Sequence, residues 1–278
     1  MKRLLFTAIL CVAATGVFAQ STATTDTAKR VTDTTRVKTD TVSHTKRKVY
    51  RFRMGSGLTS APDSSKVVHK APGFSWGLTF SRFDLGLATL LDNGSFKLSP
   101  QNDFLRYRSW KTLNVGFDVL QAGYRFSPAF KIYLSAGFDW TLIRLRENIT
   151  ILEDQPVLTY RQDNIIYSKN RFSSSYLRIP LAFDFRTRGD ENDKYVHFVA
   201  GPDIGILLNG RVKQISDENG KQKFNNDYHF AKFRYGVTAR VGYGSMGVFA
   251  KYYFNDVFQD SPAQEGLKNL SVGLMFGF

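Results

Sequence analysis

The chain has 278 residues, 22% of them charged, with a formal net charge of +14 and a single cysteine. That length suits one barrel or two smaller domains, and one cysteine excludes a disulfide framework. So basic a balance can mean nucleic acid, but no helix-turn-helix, zinc or RNA-binding aromatic signature accompanies it; lipid phosphates are the expected anions.

Residues 1–19 read as a secretory signal peptide. Lys2 and Arg3 form a basic start, Leu4 to Ala14 an apolar run too short to span a bilayer, and Val17-Phe18-Ala19 a small-residue cleavage site. Cys11 falls inside this segment, so the exported chain is expected to carry no thiol. Residues 20–71 are expected to form a disordered periplasmic linker. Ser21 to Lys48 is Thr, Asp, Lys and Arg with almost no bulky apolar residue, too little to offset the entropy of ordering. Thr-Asp-Thr recurs at Thr25, Thr32 and Thr39, but no apolar seam follows that period, which excludes a coiled coil. Asp26-Thr27-Ala28, Asp33-Thr34-Thr35 and Asp40-Thr41-Val42 resemble the O-glycosylation motif of exported Bacteroidetes proteins, although a solvated spacer is the simpler reading.

Residues 72–278 read as strands throughout. Strand one lies within Phe74 to Leu91. Trp76, Leu78 and Phe80 share one parity and Phe83, Leu85 and Leu87 the other, which requires a bulge or break near Ser81-Arg82. Strand two, Lys111 to Phe126, shows Leu113, Val115, Phe117 and Val119 outward. Strand three runs from Phe130 to about Leu152. Strand four, Ser174 to Arg188, sets Leu177, Ile179, Leu181, Phe183 and Phe185 against Arg178, Pro180, Ala182, Asp184 and Arg186. Strands five to eight follow as Lys194–Ser216, Lys221–Tyr243, Met246–Phe258 and Lys268–Phe278.

The connections alternate in length. Ser127-Pro128-Ala129 and Gly244-Ser245 are tight, whereas about twenty residues follow strand one and Glu153 to Ser173 follows strand three. Strands five and six run out as a ribbon to Asp217-Glu218-Asn219-Gly220. Short turns at one end and long loops at the other are the habit of outer-membrane barrels, whose alternating strands escape hydropathy scans. The 24 Phe and 13 Tyr suit aromatic girdles. The expected fold is all-β: an eight-stranded antiparallel up-and-down transmembrane β-barrel in the outer membrane, both termini periplasmic.

On the parity opposite the apolar face sit Asp118, Asp139, Asp184 and Asp203 with Arg178, Arg186, Arg234, Arg240 and Lys251. An eight-stranded lumen has room only for side chains, so these are expected to neutralise one another as a plug rather than work as acid and base. His44, His69, His197 and His229 have no metal-ligand spacing, and no Gly-x-Ser-x-Gly, His-Glu-x-x-His or phosphate loop occurs. No catalytic residue, cofactor or metal is expected. In the long loops, Arg106, Tyr107, Arg108 and Trp110, then Tyr160, Arg161 and Tyr167, combine charge with aromatic area. They are candidate contacts to a partner or to lipid phosphate.

The signal, the run Ser175-Tyr176-Leu177-Arg178-Ile179-Pro180-Leu181 and the Gly-aromatic final strands resemble the PorT-like outer-membrane β-barrel family of Bacteroidetes, over roughly Pro72 to Phe278. Gly273-Leu274-Met275-Phe276-Gly277-Phe278 is similar to the C-terminal signal read by the barrel assembly machinery, through Gly273, Phe276 and Phe278; Val272 stands where a polar residue is usual. The resemblance implies an outer-membrane barrel, some members of the family acting in protein secretion or gliding, and does not imply an enzyme. The expected function is a non-enzymatic anchoring or partner-binding barrel. Expected partners are outer membrane lipid, the barrel assembly machinery and a secretion or surface protein complex, with no nucleic acid. The alternative is a small conduit or a lipid-acting outer-membrane enzyme.

Overall fold

The structure is a computed structural model, and it describes residues 72–277 except 81 and 188–193. The expected signal peptide, the linker to residue 71 and Phe278 lie outside the described residues. The strands are β1 (Gly73–Leu78), β2 (Phe83–Asp92), β3 (Leu113–Ser127), β4 (Phe130–Arg144), β5 (Ile149–Ile151), β6 (Tyr160–Gln162), β7 (Lys169–Arg186), β8 (Val196–Ser216), β9 (Gly220–Asn226), β10 (Phe233–Tyr243), β11 (Met246–Tyr253) and β12 (Leu267–Phe276). Antiparallel pairing runs β2-β3-β4-β7-β8-β10-β11-β12, and β12 returns to β2, with Phe276 opposite Phe83. This is a closed ring of eight strands. Closure removes the free edges that would otherwise template aggregation or expose backbone to lipid.

The strand break expected near Ser81-Arg82 is present. β1 pairs with the Leu120–Arg125 part of β3, and β2 pairs with its Leu113–Phe117 part. Strand two carries an irregularity that parity counting did not show. Asp118 is opposite Gly137 and Leu120 is opposite Ala136, so Val119 is bulged out of the ladder. Beyond it the outward face passes from Leu113, Val115 and Phe117 to Leu120, Tyr124 and Phe126. β8 does the same at Leu208, since Tyr176 is opposite Leu207 and Ser175 is opposite Asn209. One extra residue flips every later side chain to the other face.

Three expected strands are shorter than their hydrophobic pattern. Strand three ends at Arg144, and Ile149–Ile151 forms a separate hairpin with Tyr160–Gln162. Strand seven ends at Tyr253 rather than Phe258. Strand six is interrupted between Asn226 and Phe233, where Tyr228 (φ 48°) and His229 (φ 57°) take left-handed backbone. Two such residues cannot continue an extended ladder, and they turn Tyr228 and Phe230 inward. Past these breaks Leu145, Ile149, Ile151, Tyr228, Phe230 and Phe258 belong to a core at the loop end rather than to the wall, while Phe254 stays exposed.

The wall itself divides cleanly. Leu134, Phe185, Phe198, Ile204, Ile206, Val248, Val272 and Leu274 are exposed on its outside. On β8 the exposed apolar run extends from Phe198 to Leu208. At about 3.3 Å per residue and a tilt near 40°, that is roughly 25 Å of height, which matches the apolar band of an outer-membrane barrel.

Candidate functional site

The lumen is built from the inward residues of every wall strand. At mid-height Arg178 of β7 is fully withheld from solvent (0% exposed) and faces four carboxylates. Its nitrogens lie 2.8 Å from Asp84, 3.7 Å from Asp203, 3.8 Å from Asp118 and 4.0 Å from Asp139. Lys251 bridges Asp84 and Asp139, at 2.9 Å each, and also donates to Asn114 Oδ1. Arg240 reaches Asp84 at 3.0 Å, Arg234 reaches Asp139 at 2.7 Å, and Arg82 reaches Asp118 at 3.4 Å. Arg234 lies over the rings of Tyr176 and Tyr253, 3.8 and 4.1 Å from their centroids. Buried charges persist only when they are compensated, and each charge here has an opposite charge within 4.0 Å across seven strands. Among the described residues, however, Arg178 Nε and Nη2 and one oxygen each of Asp84, Asp118 and Asp203 have no hydrogen-bond partner.

Backbone makes room for it. A Cβ on Gly116 would lie 3.0 Å from Asp139 Oδ1, 3.1 Å from Lys251 Nζ and 3.2 Å from Arg178 Nη1. The glycine thus leaves the volume that the charged ends occupy.

Above the charges lies an apolar cap. Phe172 stacks on Phe230 at 4.6 Å and meets Tyr228 edge-on, while Phe230 stacks on Phe258 at 5.1 Å. Leu90, Leu105, Ile143, Ile149, Ile151 and Leu267 close around them. Polar ties hold the loops onto this cap. Asn170 and Gln214 side chains both donate to the Ile149 carbonyl, and Leu158 N–H donates to Ser261 Oγ. Asp92 gathers Ser99 N–H, the Ser99 hydroxyl and the Asn102 amide. Near the short-turn end Asp184 accepts from Arg186 at 2.7 Å and faces His197 Nδ1 at 3.1 Å. Every lumen charge expected from parity is therefore found inside. Asp84 was legible too, lying between outward Phe83 and Leu85, whereas Arg82 was hidden by the strand break.

The candidate contact residues separate into two groups. Trp110 is 85% exposed, and Arg106, Arg108, Tyr160 and Arg161 are also at the surface. Arg106 lies 3.6 Å from Asp103, and Tyr160 stacks on Phe104 at 4.5 Å. Tyr107 instead turns inward, its hydroxyl 2.6 Å from Thr89 Oγ1 and accepting from Leu90 N–H. Tyr167 donates to Asp163 at 2.9 Å. Burial opposes ionisation of Asp163, but hydrogen bonds from Thr150, Arg161 and Tyr167 outweigh it and hold that carboxyl below the usual range. Tyr107 and Tyr167 thus fasten loops, whereas the other five face solvent. Gly273 and Phe276 part company as well. Phe276 faces outward, while a Cβ on Gly273 would come within 2.2 Å of Gly86 Cα, at the seam where β12 closes on β2.

A closed eight-stranded ring, an apolar exterior and a charge-filled lumen are features of an outer-membrane barrel, and residues 73–259 match the outer membrane protein beta-barrel domain family. The chain belongs to it. Two crystal structures of Ail, the attachment invasion locus protein of Yersinia pestis, also align, one of them with the heparin analogue sucrose octasulfate. Each is 12% identical and covers 74% of this chain and 97% of Ail, with TM-scores of 0.28 and 0.27. At those scores the fold rests on the strand ring and the family match. No curated protein matches the chain. Membership places the protein in the outer membrane.

Proposed function

We propose that the protein is a non-enzymatic outer-membrane anchor. Its long-loop end faces outward and binds a secretion or surface protein complex, with both ends of the barrel chain periplasmic. The filling of the lumen carries this reading. A bore occupied by Arg178, Lys251, Asp139 and Asp203, each at 0% exposure, leaves no path for solute. Each mid-height carboxylate meets an Arg or Lys, so none is poised to exchange a proton with a substrate. What stays available is the loop end, where Trp110, Ile166 (79% exposed) and Phe96 (70% exposed) are at the surface, as are Arg106, Arg108 and Arg161. Aromatic and arginine side chains dominate interface energetics.

Benzoylphenylalanine placed at position 110, and separately at 245, tests the proposal in intact cells. A discrete protein adduct is expected from position 110 only, weakened by Arg106→Ala with Arg108→Ala. Adducts of equal strength from the short turn at 245, or none from either position, would remove the partner-binding role. A steady current through the purified barrel in a planar bilayer would favour the conduit. Lipid hydrolysis abolished by one rim substitution would favour the enzyme.

A further inference from the structure

At the loop end the register lines up four cations across four neighbouring strands. Arg144 of β4 is opposite Arg171 of β7, Arg171 is opposite Lys213 of β8, and Lys213 is opposite Lys223 of β9. With strands about 4.8 Å apart the row spans roughly 14 Å. Arg211 follows one step nearer the membrane, opposite Ser173, and Lys221 one step farther, opposite Ile215. Like charges directly opposite one another destabilise a sheet. Among the described residues no carboxylate forms an ion pair with any of these six, in contrast to the lumen cluster. Arg144 donates to the Ser168 carbonyl and Arg211 to Asn225 Oδ1, while Arg171 Nε has no hydrogen-bond partner. Among the described residues no carboxylate offsets the repulsion.

The same surface is greasy on its membrane side. Arg171, Arg211, Lys213 and Lys223 share a groove of about 200 Å³ with Trp140 and Leu142. Trp140 in turn stacks with outward Phe117 and Phe138. On β8 the exposed apolar run ends at Leu208, so Arg211 stands roughly 8 Å above the band edge, at headgroup depth, and Lys213 roughly 13 Å above it, just past the outer limit of that layer.

We propose that this face binds a phosphate-bearing lipid of the surrounding leaflet. Arg144, Arg171, Lys213 and Lys223 hold its phosphates, and Trp140 and Leu142 take the first segment of an acyl chain. The occupant is amphiphilic because the groove joins cations to an apolar wall, of which a soluble polyanion could use only half. Arginine forks and lysine ammonium groups both recognise phosphate. A row this wide suits a headgroup with two phosphates better than one. That the lipid belongs to the outer leaflet rests on the orientation proposed above; that a phosphorylated lipid binds here does not.

The mature chain in phosphatidylcholine nanodiscs, offered lipid A with two, one or no phosphates, provides the test by native mass spectrometry. Retention is expected in that order, with the dephosphorylated form held no better than phosphatidylcholine. Arg171→Gln with Lys213→Gln should lower retention of the diphosphorylated form by roughly tenfold or more. The same variant should not lower the melting temperature, because it removes repulsion; loss of binding together with loss of the fold would deny the site. Trp140→Ala should weaken lipid A but leave inositol hexakisphosphate unaffected. Equal retention of all three lipids, or equally tight binding of inositol hexakisphosphate and lipid A, overturns the proposal. An Asn219→Cys variant labelled on intact cells by a membrane-impermeant maleimide reports orientation separately. If that cysteine is silent while phosphate-selective binding persists, the orientation fails and the lipid site stands on the opposite leaflet.

Discussion

Replacing Arg178 by methionine should be the most damaging single change to the lumen. The side chain is fully buried, and four carboxylates lie within 4.0 Å of its nitrogens. At an effective dielectric of about 20, a unit pair at 2.8 Å attracts by roughly 6 kcal/mol, and pairs at 3.7–4.0 Å by roughly 4 kcal/mol each. Repulsion from Arg240 and Lys251, and the cost of keeping the guanidinium out of water, cancel most of that sum. Removing one partner of a buried pair nonetheless costs about 3–5 kcal/mol, because the remaining charges stay uncompensated. Arg178→Met should therefore lose about 3–5 kcal/mol in reversible urea unfolding from lipid vesicles. Adding Asp84→Asn to Arg178→Met should recover part of the loss, since it removes one stranded carboxylate, whereas Asp84→Asn alone should destabilise. A single variant within about 1 kcal/mol of the wild type would refute the reasoning, for it would mean that water reaches the cluster and screens it as at a surface.

Ile204, exposed near the middle of the β8 apolar run, reports on lipid contact. Ile204→Arg should cost about 2–4 kcal/mol in vesicles, whereas an exposed face in water would tolerate it within about 0.5 kcal/mol. Gly116→Val would drive its side chain into the Asp139, Lys251 and Arg178 termini, and should cost at least about 1–3 kcal/mol in the same unfolding experiment. Asp163 gives a pH dependence whose sign is fixed by its lowered pKa. Its contribution is complete above the unfolded carboxylate value of about 4 and is lost as pH falls through the lower folded value. The protection factors of the β5–β6 amides, taken relative to intrinsic exchange at each pH, should fall on acidification in the wild type and stay constant over that window in Asp163→Asn.

Much of the barrel was written in local pattern. Alternation in Ser174 to Arg188 assigns each side chain to lipid or lumen without reference to any other strand, because neighbouring residues of a strand point to opposite faces. The same rule turned Asp118, Asp139, Asp203, Arg178, Arg234, Arg240 and Lys251 inward. Loop lengths separated the two ends, and opposing parities on either side of Ser81 located the break. Apolar residues beyond Arg144, within Asp227 to Lys232 and beyond Tyr253 misled, because a run of hydrophobic side chains looks alike whether it lines a wall or folds over a core. Tyr107 and Trp110 are three residues apart in one loop and are chemically alike as candidates. Only tertiary structure turned one hydroxyl onto Thr89 and left the other ring in solvent.

Within each unbroken stretch of strand the sequence alone determined which residues face in and which face out, since the pleat makes that choice residue by residue, but it did not show the bulges that reverse the two faces beyond Val119 and Leu208. It could not determine which of them meet. Whether Arg178 finds Asp84, or Arg144, Arg171, Lys213 and Lys223 fall into one row, depends on register between strands distant in the chain. Register is set by barrel closure and by the bulges at Val119 and Leu208. A single inserted residue shifts every partner beyond it, and nothing in a strand's own alternation records where its neighbour has slipped.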